Sequence, residues 1–391
     1  MDWYALEQHY GSGVYAQRDI PLIRGEGVRV WDAHGRAYID CVGGHGVAVL
    51  GHNHPAVVEA VHRQMQRLTI CPPSFPNDVR ARCMERLGTL VPGLNRVFLC
   101  NSGAEAVEGA IKFARYSTGR PKIVAAKRGF HGRTLGALSA TWNRKYREPF
   151  EPLVPEFVHG TFNKLETFEA LVDERTAAVI VEVVQGEGGV HPATTAFLQG
   201  LQALVRERGA LLIIDEVQTG MGRTGRLFAF QHHGIEPDIV ALAKGIAGGF
   251  PMGAVLLGER VKPGVPGIHG STFGGNPVAA AACLATLEVL ERESLPQRAA
   301  RLGAWFLERL RAIRHPLIRD VRGLGLMVGV ELRTKVAPFL QALAREGVLA
   351  LPAGLTVIRF LPPLTITQED LEHVAQALER ALTRVAGQGN V

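Results

Sequence analysis

Of the 43 basic residues in the 391-residue chain only 8 are lysines, and one of them, Lys244, stands just past the apolar run Ile239-Val240-Ala241-Leu242 and before Gly245. A lysine desolvated in this way loses basicity and becomes a nucleophilic amine, the requirement for forming a Schiff base with a carbonyl. Asp215, 29 residues earlier, follows a second apolar run, Ala210 to Ile214. A carboxylate there is costly unless a cation faces it. A third run, Val97 to Cys100, opens into Asn101-Ser102-Gly103-Ala104-Glu105-Ala106. That is a glycine turn starting a helix, whose free N–H groups and partial charge of about +0.5 suit a phosphate.

Helix capping alone accounts for Ser102, and a structural ion pair alone accounts for Asp215 with Lys244. A Schiff-base lysine facing an acid for a ring nitrogen accounts for the phosphate turn as well, and this is the arrangement that pyridoxal phosphate requires.

The elements that must carry these residues are apolar runs alternating with helical periodicity. Besides the three runs above, Ile123 to Ala126 and Ala178 to Val181 have the same character. Short continuous apolar strands separated by helices imply a mainly parallel sheet covered on both faces, with ligands bound outside the carboxyl ends of its strands. Phe197, Leu201, Leu204 and Val205 recur at helical spacing between Thr194 or Thr195 as cap and Gly209 as stop. They form a crossover helix. Asp215 and Lys244 then end two strands of one βα unit. After about residue 280 come a long Ala/Leu helix (278 to 292), an Arg-rich amphipathic helix (297 to 313) and strands near 326 to 331 and 356 to 360, a smaller α+β unit. Residues 1–45, opening as a polar, turn-rich arm, belong with that small domain, 46–277 form the large domain, and 278–391 complete the small one.

Composition narrows the function classes. Apolar residues make up 47% and charged residues 20% of the chain, which is globular rather than disordered. The net charge of +6 is spread along the chain, and the basic stretch Arg144, Lys145, Arg147 is broken by Tyr146 and followed by Glu148 and Pro149. It reads as a solvated loop, so no nucleic acid is expected, while an acidic partner protein fits the balance. The 5 cysteines include no C-x-x-C pair, the N-terminus lacks the pattern of a secretory signal, and no apolar run reaches about 20 residues, so a soluble cytoplasmic protein is expected. Gly220 to Gly225 spells G-x-G-x-x-G but does not leave its strand directly, and no crossover helix with a ribose acid follows. Dinucleotide binding is therefore set aside. His52-Asn53-His54 and His232-His233 have no partner clusters at ligand spacing, so no metal is expected. Ser271-Thr272, between Gly270 and Gly274-Gly275, reads equally as a plain loop or as a second phosphate contact.

With these residues in hand, nearly the whole chain resembles the class III pyridoxal-phosphate aminotransferases of the acetylornithine and ornithine type, in the fold type I architecture. The resemblance rests on Arg24-Gly25-Glu26-Gly27 through Trp31-Asp32, Gly51-His52-Asn53-His54-Pro55, Asn101 to Ala106, Gly129-Phe130-His131-Gly132-Arg133-Thr134, Gln185-Gly186-Glu187-Gly188-Gly189, Asp215 to Gly220, Leu242 to Gly245 and Ser271 to Pro277. It implies an α/β fold, with a large domain on a mainly parallel seven-stranded sheet and a smaller α+β domain. It also implies that Lys244 carries the cofactor covalently and shuttles a proton at the substrate carbon, and that Asp215 pairs with the pyridine nitrogen. Ser102, Gly103 and Ala104 then hold the phosphate from one subunit and Thr272 from the other, which makes the active site that of a homodimer. Phe130 and Val217 flank the ring and Gln218 reaches its phenolic oxygen. Arg133 grips the carboxylate far from the reacting carbon, Tyr15 contributes to substrate binding, and Glu187 covers Arg359 until a second carboxylate arrives.

Departures narrow the substrate. Val183 replaces the proline common two residues before Gln185, Trp142 stands in the Thr141 to Tyr146 stretch in place of a small residue, and His45 interrupts an apolar stretch near the substrate. With Tyr146-Arg147-Glu148-Pro149-Phe150 and Val348-Leu349-Ala350-Leu351, these features resemble the branch acting on a substrate attached to a small acidic amino-group carrier protein in lysine synthesis. The expected reaction moves the amino group of glutamate to the terminal semialdehyde of carrier-bound aminoadipate semialdehyde. Free N-acetylornithine is the alternative substrate, and a non-catalytic binder of an acidic partner is the alternative of another class.

Overall fold

The computed structural model describes residues 1–387. Seven strands form the central sheet, in the order Arg96–Cys100, Gly253–Leu257, Ile239–Leu242, Leu211–Asp215, Thr176–Glu182, Lys122–Ala126 and Phe157–Gly160. Six run parallel. Gly253–Leu257 is antiparallel to both of its neighbours. Of the five inner strands, Gly253–Leu257, Ile239–Leu242, Leu211–Asp215 and Thr176–Glu182 are buried at every residue, which is why they read as apolar runs without alternation. The mainly parallel α/β expectation holds. Gly253–Leu257 and Phe157–Gly160 had not been singled out in the sequence, the first because it merges with neighbouring glycines and the second because it is short and half-buried.

The crossover helix is Thr195–Glu207, capped by Thr194, whose hydroxyl accepts from the Phe197 N–H. One expectation needs correction. The connection from Asp215 to Ile239 contains only a short 3-10 turn, Ala229–His232, and no α-helix. It packs instead against the smaller domain, where Arg223, fully buried, donates to the Leu326 carbonyl at 3.1 Å and to that of Pro362. The G-x-G-x-x-G stretch thus serves domain packing. The histidine pairs serve local structure too: His52 bonds Asp40 at 2.7 Å, His232 the Thr224 carbonyl at 3.0 Å and His233 the Thr195 hydroxyl at 2.9 Å.

The smaller domain holds a four-stranded antiparallel sheet ordered Ile318–Leu324, Met327–Leu332, Val357–Phe360, Leu351–Ala353. Helix Leu295–Arg311 packs on its first two strands, and Gln368–Gly387 packs on that helix and on Ala337–Arg345. Near the N-terminus, Leu22–Glu26, Arg29–Asp32 and Ala37–Asp40 form a second small sheet, completed by Val348–Leu349 from the C-terminal part. In that sheet Leu22–Glu26 and Arg29–Asp32 pair antiparallel around Gly27. The first helix, Trp3–Tyr10, buries no residue. Among the described residues no helix is long and apolar enough to cross a membrane.

Candidate active site

The strand ends converge on one hollow of about 430 Å³, lined among others by Ser102, Gly103, Ala104, Phe130, Arg133, Glu187, Asp215, Val217, Gln218 and Lys244. Leu211–Asp215 and Ile239–Leu242 are adjacent and parallel, with Asp215 opposite Ala241. The chain runs three residues further to Lys244, whose backbone is left-handed (φ 47°). A non-glycine residue held there costs on the order of 1 kcal/mol or more, the kind of local strain that surrounding structure sustains at functional positions. Burial, reinforced by the Arg359 guanidinium, pushes the Lys244 ammonium below its usual value; Glu187, Asp215 and Glu182 oppose this.

Asp215 is buried, with 4% of its surface exposed. One carboxylate oxygen accepts the Val217 N–H at 2.9 Å and the other pairs with His131 Nδ1 at 2.8 Å. Burial disfavours charge on His131, but the hydrogen bond and charge of Asp215, aided by Glu182, outweigh it and raise the imidazole above 6.5. Glu182 ends the next strand. Its two oxygens accept the N–H groups of Phe130 (3.0 Å) and Gly186 (3.2 Å), and burial pushes its acid up to about 7. It thereby ties the Phe130 loop to the hairpin formed by Val184–Gln185 and His191–Pro192, which carries Glu187.

Ser102 caps the 16-residue helix Gly103–Thr118, accepting from the Glu105 N–H at 3.2 Å. A methyl group on Gly103 would lie 2.8 Å from Val217 Cγ1, so only glycine lets the helix start approach the end of the Asp215 strand this closely. Arg133 lies over the Tyr146 ring at 3.8 Å and nearer the edge of the site, 5.4 Å from the Phe130 ring centre. It makes no ion pair among the described residues. Arg359, 1% exposed, donates to Glu187 at 2.6 Å and to Gln218 Oε1 at 3.0 Å, and its buried Nε has no partner among the described residues. Burial works against the Glu187 carboxylate, yet Arg359 holds it below its usual range. The Gln218 amide also donates to the His45 carbonyl at 3.4 Å, so this side chain is committed to Arg359 and to the left-handed turn Gly43–Gly46.

The structure brings together the expected Lys244, Asp215, Ser102, Gly103, Ala104, Phe130, Val217, Gln218, Arg133 and Glu187, with Arg359 immediately behind Glu187. It does not bring Tyr15 or Thr272 to this hollow. Tyr15 is 81% exposed, and Thr272 is exposed beside Ser271, which accepts from Asn101 Nδ2 at 3.1 Å. His131, Glu182 and Tyr146 had been given no role. For Glu182 a signal was there: it closes an apolar run as Asp215 does. His131 sits between Phe130 and Arg133 in a matching motif, but its pairing across 84 residues has no local signature.

The donor set fits a flat, phosphorylated heterocycle. It offers a helix start for the phosphate, a buried carboxylate backed by an imidazole for a ring nitrogen, apolar faces from Phe130 and Val217, and a desolvated lysine. Residues 13–382 match the family model for class III aminotransferases. The chain is 52% identical over 390 residues to a [LysW]-aminoadipate semialdehyde transaminase of Deinococcus radiodurans, covering 98% of this chain and 90% of that one. It is 47% identical to an acetylornithine aminotransferase of Methanopyrus kandleri, covering 98% and 99%. Among solved structures, an ornithine aminotransferase from Toxoplasma gondii superimposes with a TM-score of 0.95 at 35% identity, covering 98% and 95%. An amine transaminase from an uncultivated Pseudomonas species, in its pyridoxal-phosphate-bound form, gives 0.90 at 31%, covering 96% and 97%. Fold, site chemistry and relatives agree, and the chain belongs to the class III aminotransferases as a pyridoxal-phosphate-dependent enzyme.

Proposed function

We propose that this aminotransferase exchanges the amino group of glutamate with the terminal semialdehyde of aminoadipate semialdehyde held on a small acidic carrier protein. The observation that carries the two-substrate part is the pair Glu187–Arg359: a fully buried arginine whose carboxylate partner is 29% exposed and lines a hollow also lined by a second arginine, Arg133, which has no ion-pair partner among the described residues. A donor reacting at a terminal amine brings no carboxylate to the reacting carbon and leaves Glu187 in place. Glutamate brings one, which takes over Arg359 as Glu187 withdraws, while Arg133 receives the distal carboxylate of either substrate.

When bound, pyridoxal phosphate supplies the carbonyl and the electron-withdrawing ring. Lys244 Nζ is the group to hold the cofactor and to move the proton at the substrate carbon. Asp215, oriented by His131, keeps a proton on the ring nitrogen. Ser102, Gly103 and Ala104 receive the phosphate on the helix N-terminus. Thr272 serves the hollow of a second subunit in a homodimer, a reading supported by the apolar groove of Met65, Ile70, Phe250 and Phe273 beside that loop, with Phe273 61% exposed.

The carrier-linked substrate is favoured by the relative at 52% identity and by the basic charge balance; the relative at 47% keeps N-acetylornithine as the second reading. The test separates the half-reactions. Arg133→Ala lowers kcat/KM for both donors by about 10²-fold, in line with loss of a charged hydrogen-bonded contact of roughly 2–3 kcal/mol. Arg359→Ala lowers it chiefly for glutamate. Equal losses in both variants for both donors would refute the exchange of partners at Arg359.

A further inference from the structure

Behind the Glu187–Arg359 pair lies a second arginine contact with the same hairpin. In the small-domain sheet Arg322 stands opposite Gly329, and Gly329 stands opposite Arg359. Directly opposed residues on antiparallel strands project to the same face, so the two arginines flank a glycine in one row. Val190 fills the space above that glycine: a methyl group on Gly329 would lie 2.9 Å from Val190 Cβ. Arg359 takes the Glu187 carboxylate. Arg322 takes backbone: its Nε and Nη2 donate to the Gly189 carbonyl at 2.9 and 2.6 Å, and Nε donates to that of Val190 at 3.2 Å.

The contact is built rather than incidental. The Arg322 side chain is 13% exposed, and its Nη1 is saturated by Asp320 at 2.8 Å and Glu331 at 2.6 Å. His191 Nε2 lies 3.3 Å from both Arg322 and Arg128, and burial with these two cations lowers its imidazole to about 4, so it stays a neutral acceptor. The backbone that Arg322 grips is strained. Val190, fully buried and β-branched, has φ 55°, and Gly189 has φ 118°. A β-branched residue in the left-handed region is a true outlier that persists only when its surroundings over-determine it.

We infer that Arg322 is a positioning residue for donor choice: it pins Gly189 and Val190 over Gly329, so that the exchange of carboxylates at Arg359 moves Glu187 alone and Glu187 returns to the same place after each turnover. This rests on the proposed exchange at Arg359. Without the clamp the hairpin relaxes, Glu187 covers Arg359 incompletely, and the donor that needs Arg359 covered is the one to suffer.

The experiment uses holoenzyme and follows the bound cofactor's absorbance in single-turnover half-reactions with glutamate and with N-acetylornithine as the terminal-amine probe. Arg322→Met is expected to lower the ratio of kcat/KM for the amine over that for glutamate about tenfold, with kcat for glutamate within about twofold of the parent; a tenfold change equals about 1.4 kcal/mol. Arg322→Lys, which keeps the charge and one donor direction, recovers part of the ratio. Gly329→Ala, which keeps Arg322 but lifts Val190, moves it the same way and carries the test if Arg322→Met does not fold. Glu187→Gln is the reference: it must itself shift the ratio, and if it does not, the exchange at Arg359 fails and this inference with it. A ratio shifted by Glu187→Gln but unchanged in both Arg322→Met and Gly329→Ala would overturn the positioning role alone. So would equal losses for both donors that merely track a lower Tm.

Discussion

Burial and the neighbouring Arg359 hold the Lys244 amine below 10.5, so a larger fraction of it is neutral and nucleophilic at a given pH than for an exposed lysine. Uptake of pyridoxal phosphate by the apoenzyme should therefore rise with pH along a curve whose midpoint lies below 10.5. Lys244→Ala should remove the visible absorbance of the bound cofactor and lower turnover by at least about 10³-fold, since covalent carrier and proton shuttle go together. Turnover near that of the parent would exclude Lys244 from the chemistry. Glu182 offers a stability measurement. Its folded value of about 7 stands above the unfolded 4.5, so the folded state binds the extra proton. The stability this gives is fully present below about pH 4.5 and is lost as pH rises through about 7. His131, also raised, adds a loss of the same sign above pH 6.5. Urea unfolding between pH 5 and 8 should show the parent losing on the order of 2–3 kcal/mol more than Glu182→Gln over this range. At low pH the variant should be the less stable of the two, because an amide cannot accept from both the Phe130 and Gly186 N–H groups. Parallel pH curves would show that Glu182 is not titrating there.

At the scale of elements, the site depends on how closely the start of helix Gly103–Thr118 meets the end of the strand Leu211–Asp215. The separation is set at Gly103, where an added methyl group would fall 2.8 Å from Val217 Cγ1. Gly103→Ala should push the two apart, costing about 1–3 kcal/mol of stability from overpacking and weakening cofactor binding roughly tenfold, an additional loss of about 1.4 kcal/mol. Thermal unfolding with and without pyridoxal phosphate checks both numbers. Unchanged cofactor affinity would mean that the helix start is not the phosphate seat.

At the scale of the whole molecule, the net charge of +6 matters only if the substrate arrives on an acidic carrier. Attraction between exposed charges is screened beyond a Debye length of about 10 Å at 0.1 M salt. With the carrier-linked amine, kcat/KM should fall severalfold between about 0.05 and 0.5 M salt, where that length shrinks more than threefold, and with N-acetylornithine it should change little. Equal salt dependence, together with equal or better use of the free amine, would move the assignment to the N-acetylornithine reading.

Sequence by itself determined the chemistry and most of its platform. An apolar run ending in Asp215, another ending before Lys244 and a glycine turn opening a helix are local patterns, because a strand buried on both faces must be continuously apolar and its polar ends must lie at the sheet's rim. Tertiary structure alone decided which of these groups touch. Glu187 meets Arg359 across 172 residues and His131 meets Asp215 across 84. The row Arg322, Gly329, Arg359 exists only through strand register, which one residue's slip would turn to the opposite face. It also decided that the connection after Asp215 folds against the small domain without an α-helix, and that Tyr15 and Thr272 lie outside the hollow of their own chain. Periodicity specifies an element and its buried face, whereas the pairing of distant strands is settled by packing between them, and the carboxylates and arginines of this site stand on such pairings.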